Sequence, residues 1–140
     1  MVVTIEAKEQ NYLAQKRWQS FYSEFKSALK LRDKNKLRPM MAIDIYFSGG
    51  GGDDNHDGDT RDEAFKFWDD TSAWDGLWKA LQPQAIPTAL WRTDKKSAKN
   101  PSRIAPPQAN QKGNHNYKYY AFFEYRNGKW YCTIFNECCD

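Results

Sequence analysis

The chain contains no run of about 18 apolar residues, the length a helix needs to cross a membrane, so no span is expected. Its start, MVVTIEAKEQ, lacks the basic and then apolar pattern of a signal peptide. The same start is equally compatible with a leader already removed, so a periplasmic or secreted location is expected, with the cytoplasm as the alternative. Histidine is scarce. His56 and His115 both lie among polar residues, without a second histidine or a cysteine at ligand spacing, which argues against zinc. Cysteine is scarce too. A bridge from Cys132 to Cys138 or Cys139 closes only a tiny loop and leaves one thiol over, so a disulfide and a free buried thiol both stay open. Neither sign of charge dominates, with 21 basic against 18 acidic residues, which weakens the case for a polyanionic partner.

Aromatic residues are plentiful: six Trp, eight Tyr and eight Phe among 140 residues. Each can bury roughly 150–250 Å², so the expected core is aromatic, and a chain of this length needs no disulfide or metal to hold it. The densest stretch, Tyr117 to Phe135, reads YKYYAFFEY-RNGK-WYCTIF. Asn127-Gly128 suits the positive φ angles of a type I′ turn, which predicts a hairpin pairing Arg126 with Lys129. Strict alternation then sets Tyr125 with Trp130, Phe123 with Cys132 and Ala121 with Ile134 on one face. Glu124 with Tyr131, Phe122 with Thr133 and Tyr120 with Phe135 fall on the other. Tyr120, Phe122, Tyr131 and Phe135 are therefore a candidate interface, for a second copy or another protein.

Residues 1–8 read as a lead-in and 9–140 as one domain. Apolar positions Tyr12, Leu13, Trp18, Phe21, Tyr22, Phe25, Ala28 and Leu29 predict a long amphipathic helix ending near Arg32. Asp33 can cap a short second helix before Pro39. MMAIDIYF alternates as a half-buried strand with Met41, Ile43, Ile45 and Phe47 on one side. Thr60 and Glu63 have capping-box spacing ahead of a helix through Trp68, and Ser72 opens another through Leu81. TALWR at 88–92 is a plausible strand, and Thr93 to Asn116 is a long polar connection with a short strand around Ile104.

The order of helix, short helix, strand, helix, then strands predicts an α+β fold with helices on one face of an antiparallel sheet. A long helix carrying FYSEFKSALKLRDKNKLRPMM, a first strand, a middle helix and the terminal hairpin YAFFEYRNGKWYCTIF together resemble the NTF2-like superfamily. The resemblance implies a long N-terminal helix packed in a strongly bent antiparallel sheet, forming a cone with a pocket at its open end. It also implies dimers through the sheet.

Asp53, Asn55, Asp57 and Gly58 match the opening positions of a calcium loop, and Asp59 and Glu63 supply further carboxylates. The match fails at the twelfth position, Ala64, so calcium competes with a solvated acidic loop. Enzymes of the superfamily place an acid, histidine or tyrosine inside the cone. Asp44 is the candidate carboxylate here if strand register turns it inward, and Tyr22, Tyr46 and Tyr119 could supply hydroxyls. Lys118, Arg126 and Lys129 beside exposed aromatics suggest nucleic-acid stacking, but Glu124 interrupts the face. The expected function is a non-catalytic binding or interaction module, holding a small apolar ligand in an aromatic cone or a protein on its sheet. An isomerase or dehydratase and an immunity-type inhibitor with an acidic loop are the alternatives.

Overall fold

The computed structural model describes residues 2–47, 58–71, 73–88 and 100–137. Helix α1 spans Val2–Lys30, so the expected lead-in is helical and extends the long helix backwards. Ala14, Trp18, Tyr22, Phe25 and Leu29 follow helical spacing and are all buried, with Leu13 and Phe21 half-buried beside them. Tyr12 departs from the predicted stripe and is 61% exposed. Asp33 caps α2, Lys34–Leu37, by accepting from the Lys36 amide at 3.1 Å. A 3-10 turn, Arg38–Met40, leads into strand β1, Met41–Phe47. Helices α3, Arg61–Thr71, and α4, Ala73–Ala80, follow; the predicted cap Ser72 between them lies outside the described residues. The remaining strands are β2, Ile86–Pro87; β3, Ser102–Ala105; β4, Tyr119–Arg126; and β5, Lys129–Glu137. Positions 89–92 of the predicted TALWR strand lie outside the described residues, whereas the strand expected around Ile104 is β3.

The strands form one sheet in the order β1-β5-β4-β3-β2. It is antiparallel from β2 to β5, and β1 joins β5 in parallel, so the curled sheet is mixed. That parallel pairing follows from chain path: α3, α4, β2 and β3 intervene between β1 and the hairpin, leaving room for a crossover. Asn127 and Gly128 have φ of 52° and 84°, the two positive angles of the predicted turn. Pairing runs as expected from Arg126–Lys129 to Phe123–Cys132 and then shifts, with Phe122 opposite Ile134 and Ala121 opposite Phe135. Thr133 is the extra residue of a bulge, and its hydroxyl donates to the Phe122 carbonyl at 3.2 Å. Beyond it every side chain changes face relative to strict alternation. Ile134 is thus on the outer face and Phe135 on the inner, the reverse of the predicted assignment.

β1 also breaks its alternation. Met41 pairs with Cys132 but Tyr46 with Ile134, a register shift that leaves Ile43 57% exposed rather than facing the core. Between those anchors the Ile43 carbonyl accepts the Thr60 amide at 2.8 Å, and the Ile45 carbonyl accepts the Thr60 hydroxyl at 2.8 Å. Thr60 is therefore a rivet between β1 and the start of α3, a role the capping-box spacing did not suggest.

The core lies between the inner face of the sheet and the helices. Trp18 packs on Trp130 with ring centroids 4.7 Å apart and on Phe123 at 5.4 Å. A second aromatic group joins Trp68 to Trp74 and Phe135, each at 5.1 Å. Helix α4 meets β4 through Gly76, where a Cβ would stand 2.2 Å from a ring carbon of Tyr119. Gly76→Ala gains about 1 kcal/mol of helix propensity but overpacks a half-buried ring at about 1–3 kcal/mol. Net destabilisation of up to about 2 kcal/mol is expected from that balance in urea titration. Trimming the ring in Gly76→Ala/Tyr119→Ala should remove the penalty specific to Gly76→Ala, and a simply additive double variant would refute the contact.

Candidate groove between the long helix and the hairpin

Large aromatic side chains pack the space between α1 and the sheet, and a cavity opens at the side. It is a groove of about 670 Å³ lined by Leu13, Lys16, Arg17, Ser20, Phe21 and Glu24 of α1. Lys36, Pro39 and Met40 form its second wall, and Gly128, Lys129 and Trp130 of the hairpin its third. Each wall follows from local sequence. The α1 residues are the shoulder of the buried stripe, where Leu13 and Phe21 are half-covered and their polar neighbours point outward. Asp33 starts α2 and Pro39 sits in the turn that carries Met40 under the groove. The type I′ turn brings Lys129 and Trp130 back toward the helix.

The floor is apolar: Leu13, Phe21, Met40 and Trp130. The Trp130 indole N–H donates to the Ala14 carbonyl at 2.8 Å, so the ring offers its hydrocarbon surface to the groove. The rim is basic. Arg17 Nη1 donates to the Tyr125 hydroxyl at 2.9 Å and to the Gly128 carbonyl at 2.8 Å, which pins the guanidinium against the hairpin turn. A smaller cavity of about 250 Å³ includes Thr88, Asn100, Ser102 and Arg103. Arg103 lies 5.2 Å over the Trp18 ring and donates to the Ala85 carbonyl at 3.0 Å; burial pushes its guanidinium down from the ordinary value.

The residues singled out in the sequence fall elsewhere. Asp44 is on the exposed side of β1, 3.7 Å from Arg126, and 73% of its side chain is accessible. Tyr22 is buried, its hydroxyl shared between the Leu81 carbonyl at 2.8 Å and the Pro83 carbonyl at 3.0 Å, and burial raises its pKa far above the ordinary value. It fastens α1 to the end of α4. Tyr46 is exposed and Tyr119 packs on Phe135 at 5.5 Å. His115 is exposed, and His56 lies outside the described residues.

Asp53, Asn55 and Asp57 of the calcium motif also lie outside the described residues, as do Cys138 and Cys139. Asp59 accepts from the Arg61 guanidinium at 2.9 and 2.6 Å and from its amide at 3.0 Å. Those bonds lower its carboxyl to about 2. Glu63 is exposed in the first turn of α3. Among the described residues no group of three or more His, Cys, Asp or Glu could hold a metal ion. Cys132 has no bridge among the described residues, and the partners considered for it, Cys138 and Cys139, lie outside them. Cys132 points into the core beside Phe123 and Met41, its Sγ 3.5 Å from the Ile134 carbonyl, and burial raises its pKa strongly.

The four aromatic residues of the proposed interface do not form one surface. Tyr120 and Tyr131 are half-buried on the outer face, and Phe122 is buried there with Ile104 and Ala109. Phe135 is on the inner face against Trp68, because of the Thr133 bulge. Outer-face charge is internally matched as well: Glu124 accepts from Asn100 at 2.8 Å and from Arg126 at 3.1 Å, which weakens a nucleic-acid reading. Among the described residues no helix is long and apolar enough to cross a membrane.

No protein-family model and no curated protein matches the chain. Among solved structures, LinA is 16% identical with a TM-score of 0.46, over 96% of this chain and 90% of its own. A variant of Rv3472, described as a function unknown protein from Mycobacterium tuberculosis, is 11% identical with a TM-score of 0.44, over 94% and 75%. A variant of Rd1NTF2 is 15% identical with a TM-score of 0.43, over 86% and 95%. The long helix, the curled sheet and the terminal hairpin make an α+β architecture consistent with the NTF2-like fold.

Proposed function

We propose that the protein is a non-catalytic binding module that holds a small apolar ligand in the groove between α1 and the β4–β5 hairpin. The observation that carries this reading is the groove itself: about 670 Å³ with a floor of Leu13, Phe21, Met40 and Trp130, within the roughly 300–1,000 Å³ typical of small-molecule sites. An enzyme would want an acid or base in that space with a displaced pKa. The most displaced groups, Tyr22 and Cys132, are instead buried in the core and do not line the groove. A protein partner on the sheet is a second reading, favoured by Ile43 and Tyr46, which stand 57% and 40% exposed on the edge strand β1.

An uncharged fluorescent probe, phenylnaphthylamine, tests the groove. Its emission should rise saturably with the wild-type protein and stay low with Leu13→Trp or Ser20→Trp, each of which fills the groove from α1. Thermal melts should show that both variants remain folded. Absence of saturable binding, or equal binding by folded filled variants, would sink the reading.

A further inference from the structure

We infer that the ligand of this groove is an amphiphilic organic anion, an apolar body bearing a carboxylate, sulfonate or phosphate group that the basic rim recognises. The inference rests on the groove reading above and adds the charge of the occupant. Lys16, Arg17, Lys36 and Lys129 line the groove against a single carboxylate, Glu24. That concentration is local, because the chain as a whole carries only three more basic than acidic residues.

Five cations elsewhere are matched by carboxylates. Arg32 pairs with Asp75, Lys34 with Asp69, Arg38 with Asp62, Arg61 with Asp59 and Arg126 with Glu124. None of the four rim cations forms a salt bridge with a carboxylate among the described residues. Lys16 and Lys129 lie beside aromatic rings, 5.8 Å from Tyr12 and 5.7 Å from Tyr131, so their ammonium groups stay near the protein surface without being neutralised.

Arg17 is the anchor. Both acceptors on its Nη1 are uncharged, the Tyr125 hydroxyl and the Gly128 carbonyl, so its full positive charge remains. They hold the guanidinium in place before any ligand arrives, which reduces the ordering cost of binding. The rest of the planar fork can meet the oxygens of a carboxylate, sulfonate or phosphate through paired hydrogen bonds. Because Trp130 has spent its only donor on Ala14, the floor beneath the fork contributes hydrocarbon rather than hydrogen bonds. The two requirements, an apolar body and an anionic head, therefore come from adjacent surfaces of one groove.

The test compares phenylnaphthylamine with anilinonaphthalene sulfonate, which has the same aromatic body and adds the anion. The sulfonate should bind about ten-fold more tightly at low salt. Its advantage should shrink in molar salt, where the screening length falls to about 3 Å from about 10 Å at 0.1 M. Arg17→Gln and Lys129→Gln should each remove a few-fold of that advantage and Glu24→Gln should increase it, the advantage being read in each variant as the ratio of the two probes' affinities. Arg17→Lys, which keeps the charge and loses the fork, should fall between wild type and Arg17→Gln. Equal affinity for the two probes, with the uncharged one still displaced by Leu13→Trp, would overturn the anionic ligand and leave the groove standing. Failure of both probes to bind would overturn both. A sulfonate advantage that survives Leu13→Trp would place the anion elsewhere and also overturn the inference.

Discussion

Trp18→Ala is expected to destabilise the protein by about 3–5 kcal/mol, the range for truncating a large buried aromatic. Trp18 is 1% exposed and touches the rings of Phe21, Tyr22, Phe123 and Trp130 at centroid distances of 4.7–5.8 Å. It therefore joins α1 to both strands of the hairpin, and the void left by its removal has walls from three elements that cannot all close in. Domains of this kind have about 5–15 kcal/mol of total stability, so the variant should be marginal at room temperature in a urea titration. Trp18→Phe is milder for a chemical reason as well as a volumetric one. The Trp18 indole N–H finds no acceptor among the described residues, so phenylalanine removes an unsatisfied donor along with the lost area. Trp130→Phe breaks the bond to the Ala14 carbonyl and should cost more than Trp18→Phe. A loss below about 1.5 kcal/mol for Trp18→Ala, the size of a volume-conserving swap, would mean that the helix does not seat on the hairpin through this ring.

Trp18 was legible because it recurs with Tyr22, Phe25 and Leu29 at helical spacing, and that period survives in the folded chain. The turn at Asn127-Gly128 was legible for a different reason: few dipeptides tolerate two successive positive φ angles. Both signals are local. What could not be read depends on neighbours distant in sequence. The parallel seat of β1 against β5 is a matter of chain path, and the loss of alternation at Ile43 arises where Thr60 takes up the β1 carbonyls. The groove needs residues from α1, from the turn at Pro39 and from the hairpin, none of which forms a motif with the others. In the sequence Lys16 and Arg17 are two polar residues of the long helix with no motif of their own. Their one distinguishing sign was position, next to Leu13 and Phe21 at the margin of the apolar stripe. Asp44 is conspicuous in the sequence as a carboxylate among apolar neighbours, and the register of β1, which no local pattern reports, places it on the exposed side.

The Thr133 bulge yields the second large effect, because it decides which aromatic of β5 lies in the core. Phe135→Ala is expected to cost about 3–5 kcal/mol. Phe135 is 2% exposed, 5.1 Å from Trp68 and 5.5 Å from Tyr119 by ring centroid. Tyr131→Ala, on the half-buried outer face, should cost about 1 kcal/mol. A strictly alternating hairpin predicts the opposite for the outer half of β5: Phe135 on the outer face beside Tyr131, and Ile134 in the core. Unfolding free energies of Phe135→Ala, Ile134→Ala and Tyr131→Ala separate the two registers without a structure. A double-mutant cycle between Phe135 and Trp68 sharpens the result, since an edge-to-face ring pair contributes about 0.5–1.5 kcal/mol beyond its buried area. Coupling of that size requires both rings on the inner side of the sheet, and a cycle that closes to zero would return Phe135 to the outside. The bulge explains how a strand reading WYCTIF can bury Trp130, Cys132 and Phe135 together although their spacing is not uniformly even. One unpaired threonine restores the parity that the inward-facing side chains need.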